Sequence, residues 1–346
     1  MATLKEVAKA AGVSISTVSR VVNGYEHVSE DMRKRVTKAI EELNYEPNLL
    51  AKALVQGGAT KQIGLLVHDV VNTYFAEIAS AVENVAYRNG YSVILCNSSE
   101  GRNISTYLET FIRRRVDGVA IATGELESQD ISRLEMLVER DVPIIISRER
   151  GWTSNSAMEC LKDKIGIIEL DYYSGAKIAT EYLISLGHTR IGLLCSLPRS
   201  MMFCDPRIVG FREVLNSHGL ELDEDLVVCN LGFKKASGAR GMLELLSRGV
   251  DFSAVLAYND LVAIGALAMC REEGVRIPED VSIIGFDNVE SSQYSYPLLT
   301  TVDVPKSAQG ELMAKYLISQ IKEKHPPVQQ RFTMELIVRQ STGPKK

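Results

Sequence analysis

The chain has 346 residues, 45% of them hydrophobic and 24% charged, with a formal net charge of −5. That is ordinary globular composition at a length beyond one domain, and no apolar run is long enough to span a membrane. The acidic balance argues at first against a nucleic-acid partner. The six cysteines, at 96, 160, 195, 204, 229 and 270, show no CxxC spacing, and the five histidines show no ligand spacing. No metal or cofactor is therefore expected, and the thiols should be reduced. The stretch MATLKEVAKA is not a signal peptide, so a cytoplasmic protein is expected.

The first two predicted elements lie in TLKEVAKAAGVSISTVSRVVNG, Thr3 to Gly24. Thr3 stands three residues before Glu6, the spacing of a capping box, and Leu4, Val7, Ala8 and Ala11 fall on one helical face. Gly12 ends that helix and Ser14 can cap the next, whose inner face carries Val18, Val21 and Val22. Two short helices joined by a tight glycine turn describe a helix-turn-helix, whose second helix enters the major groove of DNA. The candidate DNA contacts are Ser14, Ile15, Ser16, Thr17, Ser19, Arg20 and Asn23. Arg20 is long enough for a guanine edge or a phosphate, whereas Ile15 and Ser16 cannot make bidentate contacts.

A third helix is predicted from Ser29 through Leu43, with Glu30 and Asp31 in its electropositive first turn. The run NLLAKALVQGG then begins at the potential cap Asn48 and ends at Gly57-Gly58. It is too short to hold as an isolated helix in water. Its Leu49, Leu50, Ala53 and Leu54 are too apolar for a plain linker and imply a partner surface. Up to residue 60 there are eight Lys/Arg against seven Asp/Glu, leaving 31 against 37 beyond, or +1 and −6. DNA affinity must then rest on a few placed cations and on two such units acting together.

The motifs VAKAAGVSISTVSRVVNG, VSEDMRKRVTKAIEELNYEPN and AKALVQG resemble the headpiece and hinge of the LacI–GalR family of bacterial transcription regulators. The resemblance implies a headpiece over 1–47, a hinge and linker over 48–58, and an effector-binding, dimerising remainder over 59–346. It implies further that the 48–56 segments of two subunits pair in the minor groove, Asn48 and Ala53 against DNA and Leu54 as the inserted wedge.

From Lys61 short apolar runs alternate with helical stretches. Strands are predicted at 63–69, 91–99, 117–123 and 142–148, and after Asp171 at 189–196, 225–230, 253–260 and 281–288. Helices are predicted at about 74–89, up to 115, up to 186, from about 207 to 218, and at 261–273. Two runs of β-α units predict two doubly wound α/β lobes, in which ligands bind beyond the carboxyl ends of the strands. The polar residues there are Asp69 with Asn72, Arg148, Asn259 with Asp260, and Asp287 with Asn288.

The phrases TRIGLL, RIVGFREVL, AYNDLVAIGAL, PEDVSIIGFDN and PLLTTV extend the same resemblance over essentially the whole chain. It implies a core like that of periplasmic sugar-binding proteins. Lobe one would comprise about 61–170 and 304–332, and lobe two about 171–303 and 333–342. The effector contacts it implies are Asp69, Asn72, Tyr74 and Phe75 on the first lobe, and Arg199, Arg207, Phe233, Asn259 and Asp287 on the second. Arg148 stands where many sugar-responsive relatives have Asp. Its convergence with Arg199 and Arg207 would make a cationic pocket for an anionic sugar derivative. No nucleophile elbow, phosphate-cradling loop or metal cluster is visible, so no enzyme is expected. The expected function is a homodimeric repressor on a near-palindromic operator, controlled by a sugar-like effector. The alternative is control of the same fold by a protein coregulator.

Overall fold

The computed structural model describes residues 2–22, 25, 27–45, 59–99, 101–123, 126–149 and 160–346. The proposed hinge with Asn48, Ala53 and Leu54 lies outside the described residues, as does Asn23. The chain divides into two compact units, Met1–Thr60 and Lys61–Lys346.

The first unit holds α1 (Leu4–Ala11), α2 (Ile15–Val22) and α3 (Glu30–Glu42). The capping box is present: Thr3 Oγ1 accepts from the Glu6 amide at 3.3 Å, and Glu6 Oε2 accepts from the Thr3 amide at 2.7 Å. Gly12 follows α1 in the left-handed region, with φ 63°. Arg35, reaching across from α3, donates to the Ala11 and Gly12 carbonyls at 2.6 and 3.0 Å. These otherwise orphaned carbonyls thereby fix α3 against the turn. Val7, Ala8, Ala11, Val18, Val36, Ala39 and Tyr45 form a small core of their own.

In the second unit the first lobe runs β1 (Gln62–Val67), α4 (Thr73–Arg88), β2 (Ser92–Asn97), α5 (Ile104–Arg114), β3 (Gly118–Ala122), α6 (Ser128–Glu139), β4 (Ile144–Glu149) and β5 (Gly166–Leu170). The second runs α7 (Tyr172–Ser185), β6 (Ile191–Leu194), α8 (Pro206–Ser217), β7 (Val227–Val228), α9 (Lys235–Ser247), β8 (Ala254–Ala257), α10 (Asp260–Glu272), β9 (Ser282–Asp287) and β10 (Thr300–Asp303). Then α11 (Lys306–Lys322) packs on α4, β11 (Gln329–Phe332) joins the first sheet and β12 (Glu335–Ile337) joins the second.

The sheets are ordered β11-β5-β4-β3-β1-β2 and β12-β10-β9-β8-β6-β7. All pairings are parallel except β10 with β12. Both sheets therefore carry the doubly wound order 2-1-3-4-5 in their first five strands, which reverses beside β1 and beside β6. Such reversals open a crevice at the carboxyl ends of the flanking strands. β1, β3, β6 and β8 are almost wholly buried, as strands covered by helices on both faces must be.

The chain passes between lobes at Asp171, at 304–305 and at 333–334. Asp171 caps α7 by accepting from the Ser174 amide, and its own amide donates to the Phe332 carbonyl at 3.1 Å, tying two crossings together. At the remaining crossing, buried Lys306 donates to the carbonyls of Asp287, Asn288 and Val304 at 2.5, 3.1 and 3.2 Å. Among the described residues no helix is long and apolar enough to cross a membrane.

Helices α9 and α10 touch backbone to backbone. A methyl on Gly238 would overlap the Val262 carbonyl oxygen, and one on Gly265 the Lys235 carbonyl oxygen. Gly238→Ala or Gly265→Ala should lower stability by about 3 kcal/mol or more, since the clash is with backbone that has no rotamer to change. Urea denaturation of each variant measures this, and a loss below about 1 kcal/mol would refute the close approach.

Candidate functional site

In the first unit the exposed surface of α2 is formed by Ser14, Ile15, Ser16 and Arg20, with Thr17 and Ser19 half-buried. Ser14 Oγ accepts from the Thr17 amide at 3.1 Å, capping the helix, and lies 2.7 and 2.8 Å from the Ser16 and Thr17 hydroxyls. Ile15 is 48% exposed at the helix start, an apolar side chain with no packing role in its own core. Small hydroxyls, one apolar contact and one arginine at a helix N-terminus suit close approach to base edges and phosphates.

In the second unit Arg207 is the organising group. Asp205 caps α8, accepting through Oδ1 from the Arg207 and Ile208 amides at 2.8 and 3.3 Å, with Pro206 in the first turn. The Arg207 side chain folds back into the interior and is 6% exposed. Its Nη1 donates to Tyr258 Oη at 2.9 Å and to Asp205 Oδ2 at 3.2 Å, while Tyr258 Oη donates to the same Asp205 oxygen at 3.0 Å. The guanidinium carbon stands 3.6 Å from the Tyr172 ring centre and 4.2 Å from that of Tyr258, cation–π distances in a desolvated setting. Its Nη2 donates to Glu149 Oε1 at 2.8 Å. Glu149 ends β4 in the first lobe, so this ion pair bridges the two lobes.

Two atoms of that bridge, Arg207 Nε and Glu149 Oε2, are buried without a hydrogen-bond partner, as are the Ser147 and Ser196 hydroxyls. Burial pushes the Glu149 carboxyl up, with Arg207 opposing. Burial likewise pushes Asp287 up to about 7, opposed by Arg207 and Lys306 and reinforced by Glu149 and Glu77. Asp287 has φ 103°, a conformation that costs a non-glycine residue energy and tends to persist at functional sites; Lys306 holds it there through the carbonyl.

An aromatic row continues from lobe to lobe. Tyr74 meets Phe75 at 4.8 Å, Phe75 meets His68 at 5.9 Å, His68 meets Phe233 at 5.8 Å and Phe233 meets Tyr258 at 5.7 Å. Burial lowers the His68 pKa, so the neutral ring is favoured in this row.

The structure thus brings Tyr74, Phe75, Arg207, Phe233 and Asp287 into the cleft region. Asn72 and Asn259 cap α4 and α10, accepting from the Tyr74 and Val262 amides, and Asp69 accepts from the Val71 amide. The three arginines expected to converge are each held by different carboxylates. Arg148 pairs with Glu169 at 3.0 Å, exposed Arg199 pairs with Glu224, and Arg207 pairs with Glu149 and Asp205. Sequence reasoning missed Glu149, His68, Tyr172, Asp205 and Tyr258. Strand alternation holds the signal for the first: Arg148 and Glu149 must face opposite sides of the sheet. Asp-Pro before RIVGF holds the signal for Asp205, as a cap followed by proline.

Residues 3–48 match the model for "Bacterial regulatory proteins, lacI family" and residues 180–342 that for a "Periplasmic binding protein-like domain". The chain is 36% identical over 325 residues to the HTH-type transcriptional repressor PurR of Pasteurella multocida (strain Pm70), covering 94% of this chain and 93% of the relative. It belongs to the lacI family. Among solved structures, a transcriptional regulator CelR–cellobiose complex is 32% identical, with TM-score 0.69, over 99% of this chain and 100% of that one. The Lac repressor bound to ONPG in its repressed state is 26% identical, with TM-score 0.80, over 99% of each chain. This lacI-family chain is a DNA-binding transcriptional repressor with a ligand-binding core, not an enzyme.

Arg207→Ala should cost the lacI-family core about 3–5 kcal/mol, because it strands the Glu149 and Asp205 carboxylates in the interior. Glu149→Gln keeps a hydrogen-bond acceptor and should cost less. Urea unfolding of the two variants would show small and similar losses if the arginine were merely a surface group.

Proposed function

We propose that the protein is a cytoplasmic, homodimeric repressor of carbohydrate-related genes, and that its effector is a neutral polyhydroxylated molecule held between the lobes at Arg207, Glu149 and Asp287. The observation that carries this reading is the charge of the cleft. The Arg207 guanidinium and the Lys306 ammonium are already matched by the carboxyls of Glu149, Asp205, Asp287 and Asp303, so the cleft holds no cationic surplus for an added anion. Sugar hydroxyls both donate and accept. They satisfy a carboxylate oxygen and a guanidinium N–H at once, as the unpaired Glu149 Oε2 and Arg207 Nε require. Phe75, His68 and Phe233 offer ring faces for the apolar side of a pyranose or another flat ring. The solved CelR complex, whose ligand is cellobiose, supports the same class. An anionic sugar derivative has less support, because Arg148 and Arg199 are already matched by Glu169 and Glu224.

Two headpieces on one dimer would occupy two half-sites of a near-palindromic operator. The hinge segments, Leu54 among them, would pair in the minor groove, and effector binding would alter their separation by changing the angle between lobes. Operator and effector then change each other's affinity by the same factor.

Thermal-shift screening of neutral saccharides, sugar acids, sugar phosphates and planar nitrogen heterocycles tests the effector class. Neutral saccharides should raise the melting temperature. A shift from only the anions or only the heterocycles refutes the reading. Operator gel shifts that no small molecule alters would favour a protein coregulator. Leu54→Ala should weaken operator binding about tenfold or more while leaving effector affinity unchanged.

Asp287 sets the pH dependence. Below the ordinary carboxylate range both folded and unfolded chains hold its proton. From there up to about pH 7 the folded chain keeps a proton that the unfolded chain has released, so stability falls as pH rises through this window. Asp287→Asn should remove that decline, narrowing its disadvantage or gaining on wild type by about 3–4 kcal/mol between pH 4 and pH 8 in urea titrations. Hydroxyl donors favour the ionised carboxylate, so effector affinity should strengthen as pH rises from 6 to 8. A flat or opposite trend in calorimetric titration argues against contact with Asp287.

A further inference from the structure

Outside the cleft, the second lobe holds two cysteines that the repressor function does not use. β6 and β7 pair in parallel with Leu194 opposite Val228, and the next residue on each strand is a cysteine, Cys195 and Cys229. The Cys195 amide continues the ladder by donating to the Val228 carbonyl at 2.8 Å. In-register neighbours of adjacent strands project to one face, with Cα atoms about 4.8 Å apart, within the range that a disulfide spans. The Cys195 thiol donates to the Leu197 carbonyl at 3.6 Å, and Cys229 Sγ lies 3.2 Å from the buried Met202 Sδ. Cys195 is fully buried whereas Cys229 is partly exposed, so Cys229 is the more open of the two to a solvent-borne oxidant.

We propose that Cys195 and Cys229 form an oxidisable pair, with Cys229 the attacking and Cys195 the resolving thiol, and a hydroperoxide as the oxidant. The Cys229 thiolate attacks a peroxide oxygen, the O–O bond breaks, and the leaving oxygen takes up the thiol proton as water or alcohol. Cys195 then attacks the resulting sulfenic acid, the S–O bond breaks and a second water leaves. Two thiols lose two electrons and the peroxide gains them. The assignment of roles agrees with the electrostatics. The neighbouring Cys195 thiol, then Arg199 and Arg248, draw the Cys229 pKa down against burial and Glu224, whereas Cys195 is pushed up. The link would tie the loop leading to Arg207 to the loop leading to Phe233, beside the effector cleft.

The reduced full-length protein is exposed to hydrogen peroxide and mapped by mass spectrometry without reduction. The expected product is a peptide linking Cys195 to Cys229, formed about tenfold faster than oxidation of the exposed Cys160 and Cys204. Cys195→Ser should leave a dimedone-reactive sulfenic acid on Cys229, and Cys229→Ser should leave Cys195 reduced. Oxidation confined to Cys160 and Cys204, or only intermolecular links, overturns the proposal, and the wild-type map decides this even if a variant fails to fold. Because no DNA or effector is needed, a negative result leaves the repressor reading intact.

Discussion

The core is organised around a buried guanidinium. Arg207 is removed from water, and a guanidinium cannot shed its charge there as a lysine can, so the surrounding chain must supply partners. Those partners come from four places in the sequence: the cap Asp205, the strand end Glu149, the helix start Tyr172 and the strand end Tyr258. Each is available only because two doubly wound sheets aim their carboxyl ends at the same space. The ion pair with Glu149 also joins lobe one to lobe two through charge rather than through apolar contact. A ligand that replaces or shares that contact acts directly on the relation between the lobes.

A buried pair of this kind is a poor source of stability, since its desolvation is costly and hydrophobic residues could fill the same volume. Its value lies in specificity. Nε of Arg207 and Oε2 of Glu149 are left with hydrogen-bonding capacity that only a polar guest can use. Asp287, held at an unfavourable φ by Lys306, adds a third group whose burial is tolerated for the same reason. The cleft thus holds both strain and unmet polar groups, while the sheets behind it are apolar and closely packed.

Much of the frame was legible in the residues. Runs such as IGLLV and GVAIA are strands because parallel sheets bury both faces, and the helix-turn-helix showed its caps and its glycine plainly. What escaped reading did so for physical reasons. Helix α9 carries Gly238 and Gly241, poor helix formers, because close contact with α10 and with Leu231 leaves no room for side chains. β11, the polar QQRF, is an exposed edge strand without apolar alternation. Helix α11 buries Lys306 and Gln309, which reads as an outward face turned inward. In the site, Arg148 drew notice as a charged residue at a strand end, yet its register partner on β5 is Glu169, and the next residue along carries the inter-lobe contact.

The three passages of chain between lobes have a mechanical corollary. With Asp171 bonded to Phe332 and Lys306 clamping the third passage, the lobes have little freedom to slide, and rotation about the line of crossings is the soft direction left to them. The ligand groups lie at the carboxyl ends of the strands, whereas the chain arriving from residue 60 joins at the amino end of β1. A six-residue strand is a rigid arm of roughly 20 Å. A turn of a few degrees at the pivot thus becomes a displacement of an ångström or more where the preceding segment is attached, leverage gained without bending any secondary structure.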